Sequence, residues 1–245
     1  MHCAMILNKH RKNMSATDKL CIRSACSIVF IISFICTFFI ISVQANPIDI
    51  RETENFPIFT SEPLPKTIET LINGVSHKEV NGIKPPAFSD LAYLTLSYVN
   101  FEGEHCVGNM IVAAELGDEV VEIFMELYEN SFPIYQMELI DVFDADDDKS
   151  MAANNSSAFN FRLIKGTKKI SKHGLGIAID INPVQNPYIT GGRYSPPASK
   201  EYKDRNNTRQ GMIIKGDVCY NAFISRGWTW GGHWNNKDYQ HFEKN

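Results

Sequence analysis

The stretch that decides the fold runs from Ser171 to Asn182 and reads SKHGLGIAIDIN. In its second half, isoleucines alternate with small or polar residues, as on a strand whose two faces have different surroundings. Asp180 lies between two of these isoleucines, although aspartate is depleted in strand interiors. A desolvated carboxylate is costly unless it is paired or binds a metal. The stretch therefore predicts a buried strand that delivers one carboxylate to a site.

An imidazole is expected to approach this carboxylate. Gly174 and Gly176 allow the backbone to turn, so that His173 comes back toward Asp180. A histidine and an aspartate that converge in this way are plausible zinc ligands, and a structural hydrogen bond explains the pair equally well. Taken alone, the spacing leaves both interpretations open.

A second segment, residues 237–243, reads KDYQHFE and offers a third ligand, His241. Three protein ligands with an open position for water are typical of a catalytic zinc site. Asp238 is placed to take a proton from that water and deliver it to a leaving amine. The alternative is a solvated, charged tail, but the five aromatic residues between Trp228 and Phe242 argue against it.

These residues resemble the M15 metallopeptidases, which include D-alanyl-D-alanine carboxypeptidases and dipeptidases and the L-alanyl-D-glutamate endopeptidases of phage endolysins. The family signature S-x-H-x-x-G-x-A-x-D is met by Ser171, His173, Gly176, Ala178 and Asp180. The later acid-x-x-His element is met by Asp238 and His241. An aspartate in that element is more similar to the endolysin branch than to the dipeptidase branch.

The resemblance implies Zn²⁺ bound by His173, Asp180 and His241, with Asp238 as general base and then general acid. Residues 154–162 also resemble the family segment that leads to a substrate-facing arginine, which makes Arg162 the candidate to steady the oxyanion or a substrate carboxylate. Other candidates for that role are Arg193 and Arg205. The resemblance extends over roughly residues 132–243.

Strand and helix patterns are interspersed without a regular βαβ rhythm, so we expect an α+β fold. The resemblance implies a small, mainly antiparallel sheet with flanking helices, similar to the Hedgehog/DD-peptidase fold. Strands are predicted at residues 94–98, 110–114, 137–143, 159–164 and 176–181. Helices are predicted near 66–73, from a cap at Asp118 to about Asn130, and after a cap at Asp217.

The first 45 residues differ from the rest of the chain. Basic residues precede an apolar run at 25–43 that ends in Val43-Gln44-Ala45, as in a secretory signal peptide. An uncleaved membrane anchor is the alternative, since the run is long enough to span a bilayer. We therefore expect an exported protein, periplasmic or extracellular, with a signal or anchor at 1–45, an extended leader at 46–85 and a zinc peptidase domain at 86–245.

Charge and cysteine content exclude several classes. The chain has 24 Lys/Arg and 28 Asp/Glu residues, of which five basic residues and one acidic residue lie in the first 45 positions. The remaining 19 basic and 27 acidic residues give a formal charge of −8. This balance argues against a nucleic-acid binder. Beyond position 45 only Cys106 and Cys219 remain, too few for a disulfide scaffold, and they form either one disulfide or two buried thiols.

The acidic run at 144–148 lacks the glycine and glutamate of a calcium loop and is expected to be a solvated loop near the site.

The favoured function is zinc-dependent hydrolysis of peptidoglycan stem peptides, by a carboxypeptidase or an L-Ala-D-Glu-type endopeptidase. The alternatives are a D-Ala-D-Ala dipeptidase and a non-catalytic zinc-containing cell-wall binding module. We expect a monomer whose partners are cell-wall peptides, with no nucleic acid, and with membrane anchoring through residues 25–43 if the apolar run is not cleaved.

Overall fold

A computed structural model describes residues 56–245. They belong to one compact unit, Ile50–Asn245. The predicted signal peptide or anchor and the first part of the predicted leader lie outside the described residues. Among residues 56–245, no helix is both long and apolar enough to cross a membrane.

A three-stranded antiparallel sheet forms one side of the unit. Its strands are β1 (Phe59–Pro63), β2 (Leu91–Val99) and β3 (His105–Ala113), in the order β1-β2-β3. Helix α1 (Lys66–Ile72), which the sequence predicts near residues 66–73, comes after β1. Residues of the predicted extended leader thus contribute the edge strand of this sheet, paired with β2 from Phe59 to Pro63.

Helix α2 (Gly117–Glu129) packs on this sheet through the apolar face that the sequence predicts. Its buried side chains are Val120, Ile123, Phe124 and Leu127. The prediction that Asp118 caps it is wrong. A 3-10 turn, Ala114–Leu116, leads directly into the helix, so that Asp118 already lies in its first turn.

Two of the predicted strands, at residues 137–143 and 159–164, are wrong. Residues 137–143 form only the end of β4 (Gln136–Met137), followed by a 3-10 turn at Ile140–Phe143. The N–H groups of residues 159, 160 and 161 donate to the carbonyls of Ile111, His173 and Ser76, in three different segments. No ladder forms between two strands, although the apolar pattern resembles that of a strand.

The rest of the unit consists of short elements, several of which line a cleft. Strand β5 (Asn155–Ser156) pairs in parallel with β4. The later strands are β6 (Ala178–Asp180), β7 (Tyr188–Thr190), β8 (Arg193–Ser195), β9 (Thr229–Trp230), β10 (Lys237–Asp238) and β11 (His241–Glu243). They form two antiparallel three-stranded sheets, with the orders β6-β11-β9 and β10-β7-β8. Helices α3 (Asp147–Ala152) and α4 (Val218–Ile224) complete the α+β fold that the sequence predicts.

Helix α4 begins as predicted, because the carboxylate of Asp217 accepts a hydrogen bond from the N–H of Tyr220. Its apolar side joins the main core, where the ring of Phe223 stacks on Phe242 at a centroid distance of 4.0 Å. This contact holds strand β11 against helix α4. Cys219 is a buried thiol, so the Cys106–Cys219 disulfide is not formed.

Candidate metal centre

Strand pairing brings the first two candidate ligands together. Asp180 on β6 lies directly opposite His241 on β11, and side chains at opposite positions of an antiparallel pair share one face. Oδ1 of Asp180 lies 2.9 Å from Nδ1 of His241. Both side chains are buried. Ile179 on β6 and Ile181 just after it are buried in the core, and Ile177 packs against it, as the alternating pattern predicts.

The third candidate, His173, lies in a 3-10 turn, Lys172–Leu175, that precedes β6. Oγ of Ser171 accepts a hydrogen bond from the N–H of His173 and so begins the turn. Gly176 ends it with a φ of +70°, and a Cβ at this position would lie 2.5 Å from the backbone nitrogen of Ala113. Only glycine fits both the left-handed conformation and the close approach to β3. The turn places Nε2 of His173 3.3 Å from Oδ2 of Asp180.

The three side chains converge on one point. One ligand atom from each of His173, Asp180 and His241 can be chosen so that all lie within 4.8 Å of one another, and all three residues are buried. Two imidazole nitrogens and one carboxylate oxygen form a donor set of the kind that zinc binds in catalytic sites. The residues present therefore fit a divalent transition metal.

Hydrogen bonds on the outer side of both imidazoles select the nitrogen that would face the metal. Nδ1 of His173 lies 2.7 Å from the carbonyl oxygen of Ala158, which can only accept, so Nδ1 carries the proton and Nε2 is the ligand atom. Nε2 of His241 lies 3.2 Å from a carboxylate oxygen of Glu243. The other ring nitrogen, Nδ1, therefore faces the candidate metal site. Outer partners of this kind orient metal-binding histidines.

The buried charges are strongly coupled. Burial alone would raise the pKa of Asp180, but the two histidines lower it well below its usual range. Burial lowers the pKa of His241, and hydrogen bonds to Asp180 and Glu243 outweigh that effect and raise it to about 10. His241 is therefore an imidazolium at neutral pH in the metal-free protein. A metal ion at Nδ1 must displace its proton.

Asp238, the candidate base, lies on β10 beside these ligands. Its Oδ1 is buried and has no hydrogen-bond partner among residues 56–245. Burial, assisted by the charge of Asp180, raises the pKa of Asp238 to about 6. A buried carboxyl group with a pKa near neutrality is well suited to accept and return a proton.

These groups line a cleft of about 900 Å³. Arg162 lies on its wall and pairs with Asp147, with Nη2 2.8 Å from Oδ2. Arg193 also lines the cleft. Arg205 has a structural role, because its guanidinium donates hydrogen bonds to the backbone carbonyls of Gln185 and Ile213.

The aromatic residues near the C-terminus divide between core and cleft. Trp228 and Trp230 are buried in the core, whereas Trp234 lines the cleft with its ring centroid 5.3 Å from that of His241. His233 packs against Tyr220 and Trp230 and is not among the residues that line the cleft.

Sequence reasoning missed two residues of the site, Glu243 and Asp147. Glu243 could have been found, since a residue two positions after His241 on a strand shares its face. Asp147 lies in the acidic run that was expected near the site, and Asp147 and Asp148 do line the cleft. No local pattern shows which of its carboxylates meets Arg162.

Comparisons with known proteins agree with this geometry. A protein-family model described as D-alanyl-D-alanine carboxypeptidase, one of the M15 peptidases, matches residues 165–244. No curated protein and no solved structure matches the chain at a significant level. The matched segment contains all three candidate ligands and Asp238, whereas Arg162 precedes it. The resemblance to the M15 peptidases is thereby confirmed for residues 165–244, whereas the match does not extend to residues 132–164.

Proposed function

We propose that the chain is a zinc-dependent peptidase that hydrolyses peptide bonds in peptidoglycan stem peptides. One observation carries the proposal: a buried two-imidazole, one-carboxylate cluster lies beside Asp238, a buried carboxyl group with an unpaired oxygen. The family match supports the substrate class, since peptides of this kind are the substrates of D-alanyl-D-alanine carboxypeptidases. The open cleft gives a peptide room to reach the cluster.

His173, Asp180 and His241 would hold the ion through Nε2, a carboxylate oxygen and Nδ1, respectively. Zinc bound in such a site polarises a carbonyl and lowers the pKa of its water. The outer hydrogen bonds to Ala158 and Glu243 keep both rings in the required orientation. The protein thus presents a prepared set of donors and needs no rearrangement of the strands.

Asp238 would accept a proton from the attacking water and return it to the departing amine. As a carboxylate it takes one proton from the attacking water, while the water oxygen bonds to the scissile carbonyl carbon. The carbon–nitrogen bond then breaks, and Asp238 returns that proton to the departing amine nitrogen. Asp238 is again a carboxylate, and the products are one carboxylic acid and one amine, which then ionise in water. Its raised pKa makes Asp238 a better proton acceptor than an exposed aspartate.

Arg162 would donate to the negative charge that develops on the carbonyl oxygen. Its guanidinium is permanently charged and planar, and its side chain is about 29% exposed on the cleft wall. A donor that is already fixed in place stabilises a developing charge without reorganisation.

Replacement of the base tests the proposal. Zinc-loaded wild-type protein and Asp238→Ala are incubated with defined muropeptides, the products are weighed by mass spectrometry, and bound zinc is measured in parallel. We expect the variant to keep its zinc and lose hydrolysis. Full activity in Asp238→Ala would overturn the mechanism, and a wild-type protein that binds muropeptides but cuts none would favour a cell-wall binding module.

The same product masses distinguish the candidate reactions. Loss of one terminal D-alanine indicates a carboxypeptidase, and cleavage between L-alanine and D-glutamate indicates an endopeptidase. Release of alanine from free D-alanyl-D-alanine indicates a dipeptidase. Asp238, as an aspartate in place of the glutamate of the dipeptidase branch, favours the endopeptidase.

Export is also proposed, on the sequence of residues 1–45 alone, together with action as a monomer. Fractionation of producing cells tests the first: full-length protein in the membrane fraction indicates an anchor, and a shorter soluble form outside the cytoplasm indicates a cleaved signal. Protein found only in the cytoplasm would contradict export. Sedimentation of the purified protein tests the second.

A further inference from the structure

The acidic run at 144–148 contains one carboxylate that pairs with Arg162 of the proposed active site. Each of the other acids in this run has a separate role. Asp144 pairs with Lys149, and Asp146 caps helix α3 by accepting from the N–H of Lys149. Asp148 lies 3.6 Å from Lys165 in an exposed pair. Asp147 alone pairs with Arg162, at 2.8 Å and with both side chains about one-third exposed.

The backbone of Arg162 is fixed beside the metal centre. Its carbonyl accepts from the N–H of Ser171, the first residue of the signature. A Cβ at Gly174 would lie 3.4 Å from the backbone nitrogen of Arg162, so this backbone also lies against the turn that carries His173. The position of the guanidinium then depends on what holds the long side chain.

Asp147 holds the guanidinium by one edge only. Nη2 of Arg162 donates to Oδ2 of Asp147, whereas the buried Nε of Arg162 has no partner among the described residues. A buried N–H without an acceptor is unfavourable, and such a group in a folded protein calls for an explanation. One edge of the planar donor is thus anchored by Asp147, while the side chain, about 29% exposed, lines the cleft.

We propose that Asp147 is a positioning residue, which fixes the guanidinium of Arg162 so that it can donate to the oxygen of the scissile carbonyl. Its negative charge also compensates that of Arg162. The pair is therefore suited to a charge that develops during the reaction rather than to a permanent substrate carboxylate. This inference rests on the proposed function, because it assigns Asp147 through the role of Arg162.

Asp148 provides the matched control, since both acids lie in the first turn of α3 and line the same cleft. Zinc-loaded Asp147→Ala and Asp148→Ala are compared with wild type on the same peptide. We expect Asp147→Ala to lose on the order of 10- to 100-fold in kcat, as for a misplaced catalytic group. KM should change by less than about threefold, and zinc content should be unchanged. Asp148→Ala, whose carboxylate pairs with Lys165 and not with Arg162, should lose far less kcat than Asp147→Ala.

Coupling to Arg162 separates positioning from a structural role. In an Arg162→Lys background, Asp147→Ala should have little further effect on kcat, because the guanidinium that Asp147 positions is absent. Multiplicative losses in the double variant would overturn the proposal, and so would equal rates for Asp147→Ala and Asp148→Ala.

Chemical labelling detects the Asp147–Arg162 pair without a measurement of catalysis. Phenylglyoxal reacts with accessible arginines, and mass spectrometry after digestion measures the labelled fraction of Arg162. We expect faster labelling in Asp147→Ala than in Asp148→Ala, whether or not the wild-type protein hydrolyses muropeptides. Equal labelling would overturn the positioning role, while a wild-type protein without hydrolysis would count against the proposed function alone.

Discussion

Asp180 and His241 lie directly opposite each other on β6 and β11, with Oδ1 and Nδ1 2.9 Å apart. Two ligands that are 61 positions apart in the sequence are therefore fixed by a single strand register. Slippage by one residue would turn His241 toward the core and bring Phe242 into the site. The stacking of Phe242 on Phe223 prevents this slippage.

Glu243 should strengthen metal binding without touching the metal. It lies opposite Ala178, whose small side chain leaves room on the shared face, and it accepts from Nε2 of His241. We expect Glu243→Gln to weaken zinc affinity about 10- to 100-fold, as for other outer partners of metal-binding histidines. Competition with a chromophoric chelator measures the affinity. Glu115→Gln, at an exposed position, is the control, and equal affinities in the two variants would contradict the role of Glu243.

Zinc affinity should rise with pH. The pKa of His241 is raised to about 10 in the metal-free protein, so at neutral pH its imidazolium must lose a proton when the ion binds. Each pH unit between about 7 and 9 should then increase the apparent affinity about tenfold. Chelator competition at several pH values gives the slope. A slope of zero over this range would show that His241 is already neutral.

Hydrolysis should be lost in mild acid. Burial raises the pKa of Asp238 to about 6, and the general base acts only as a carboxylate. A zinc ion beside Asp238 favours the carboxylate and lowers this pKa, so at saturating zinc the rate should rise with pH up to about 6 and fall in more acidic solution. A profile of kcat/KM reports this pKa in the free enzyme. An acidic limb near pH 4, the range of an ordinary aspartate, would argue against a buried base.

Gly176→Ala should destabilise the protein strongly. The residue has a φ of +70°, and the added Cβ would lie 2.5 Å from a backbone nitrogen of β3. We expect a loss of more than about 2 kcal/mol in the free energy of unfolding, measured with urea, because strain and a backbone clash add. Gly74→Ala is the control. Its φ of +79° imposes similar strain, but no atom lies within 4 Å of the new Cβ. Equal losses would show that packing against β3 is unimportant.

The sequence predicted best the parts of the molecule that rest on local constraints. The alternating isoleucines of β6, the apolar face of α2 and the cap at Asp217 each follow from nearby residues. The Ser171–Asp180 signature likewise describes one continuous turn and strand. The α+β class followed from the mixture of such patterns.

The missed contacts and the wrong strand at residues 159–164 concern residues whose partners are distant. Residues 159–161 have the apolar pattern of a strand, but their N–H groups donate to three separate segments. The edge strand β1 depends on pairing with β2, some 30 positions later, and its sequence FTSEP carries little strand signal. Likewise the Asp147–Arg162 pair depends on a fold that brings helix α3 next to the segment of Arg162. No periodicity within either segment encodes such contacts.

Metal content shows whether His173, Asp180 and His241 together hold one zinc ion. Purified wild-type protein is loaded with zinc, dialysed and analysed by inductively coupled plasma mass spectrometry beside Asp180→Asn, with circular dichroism to verify that both are folded. We expect one zinc per wild-type chain and almost none in the folded variant. Equal zinc in both proteins, or none in the wild type, would show that these three residues do not form the metal site.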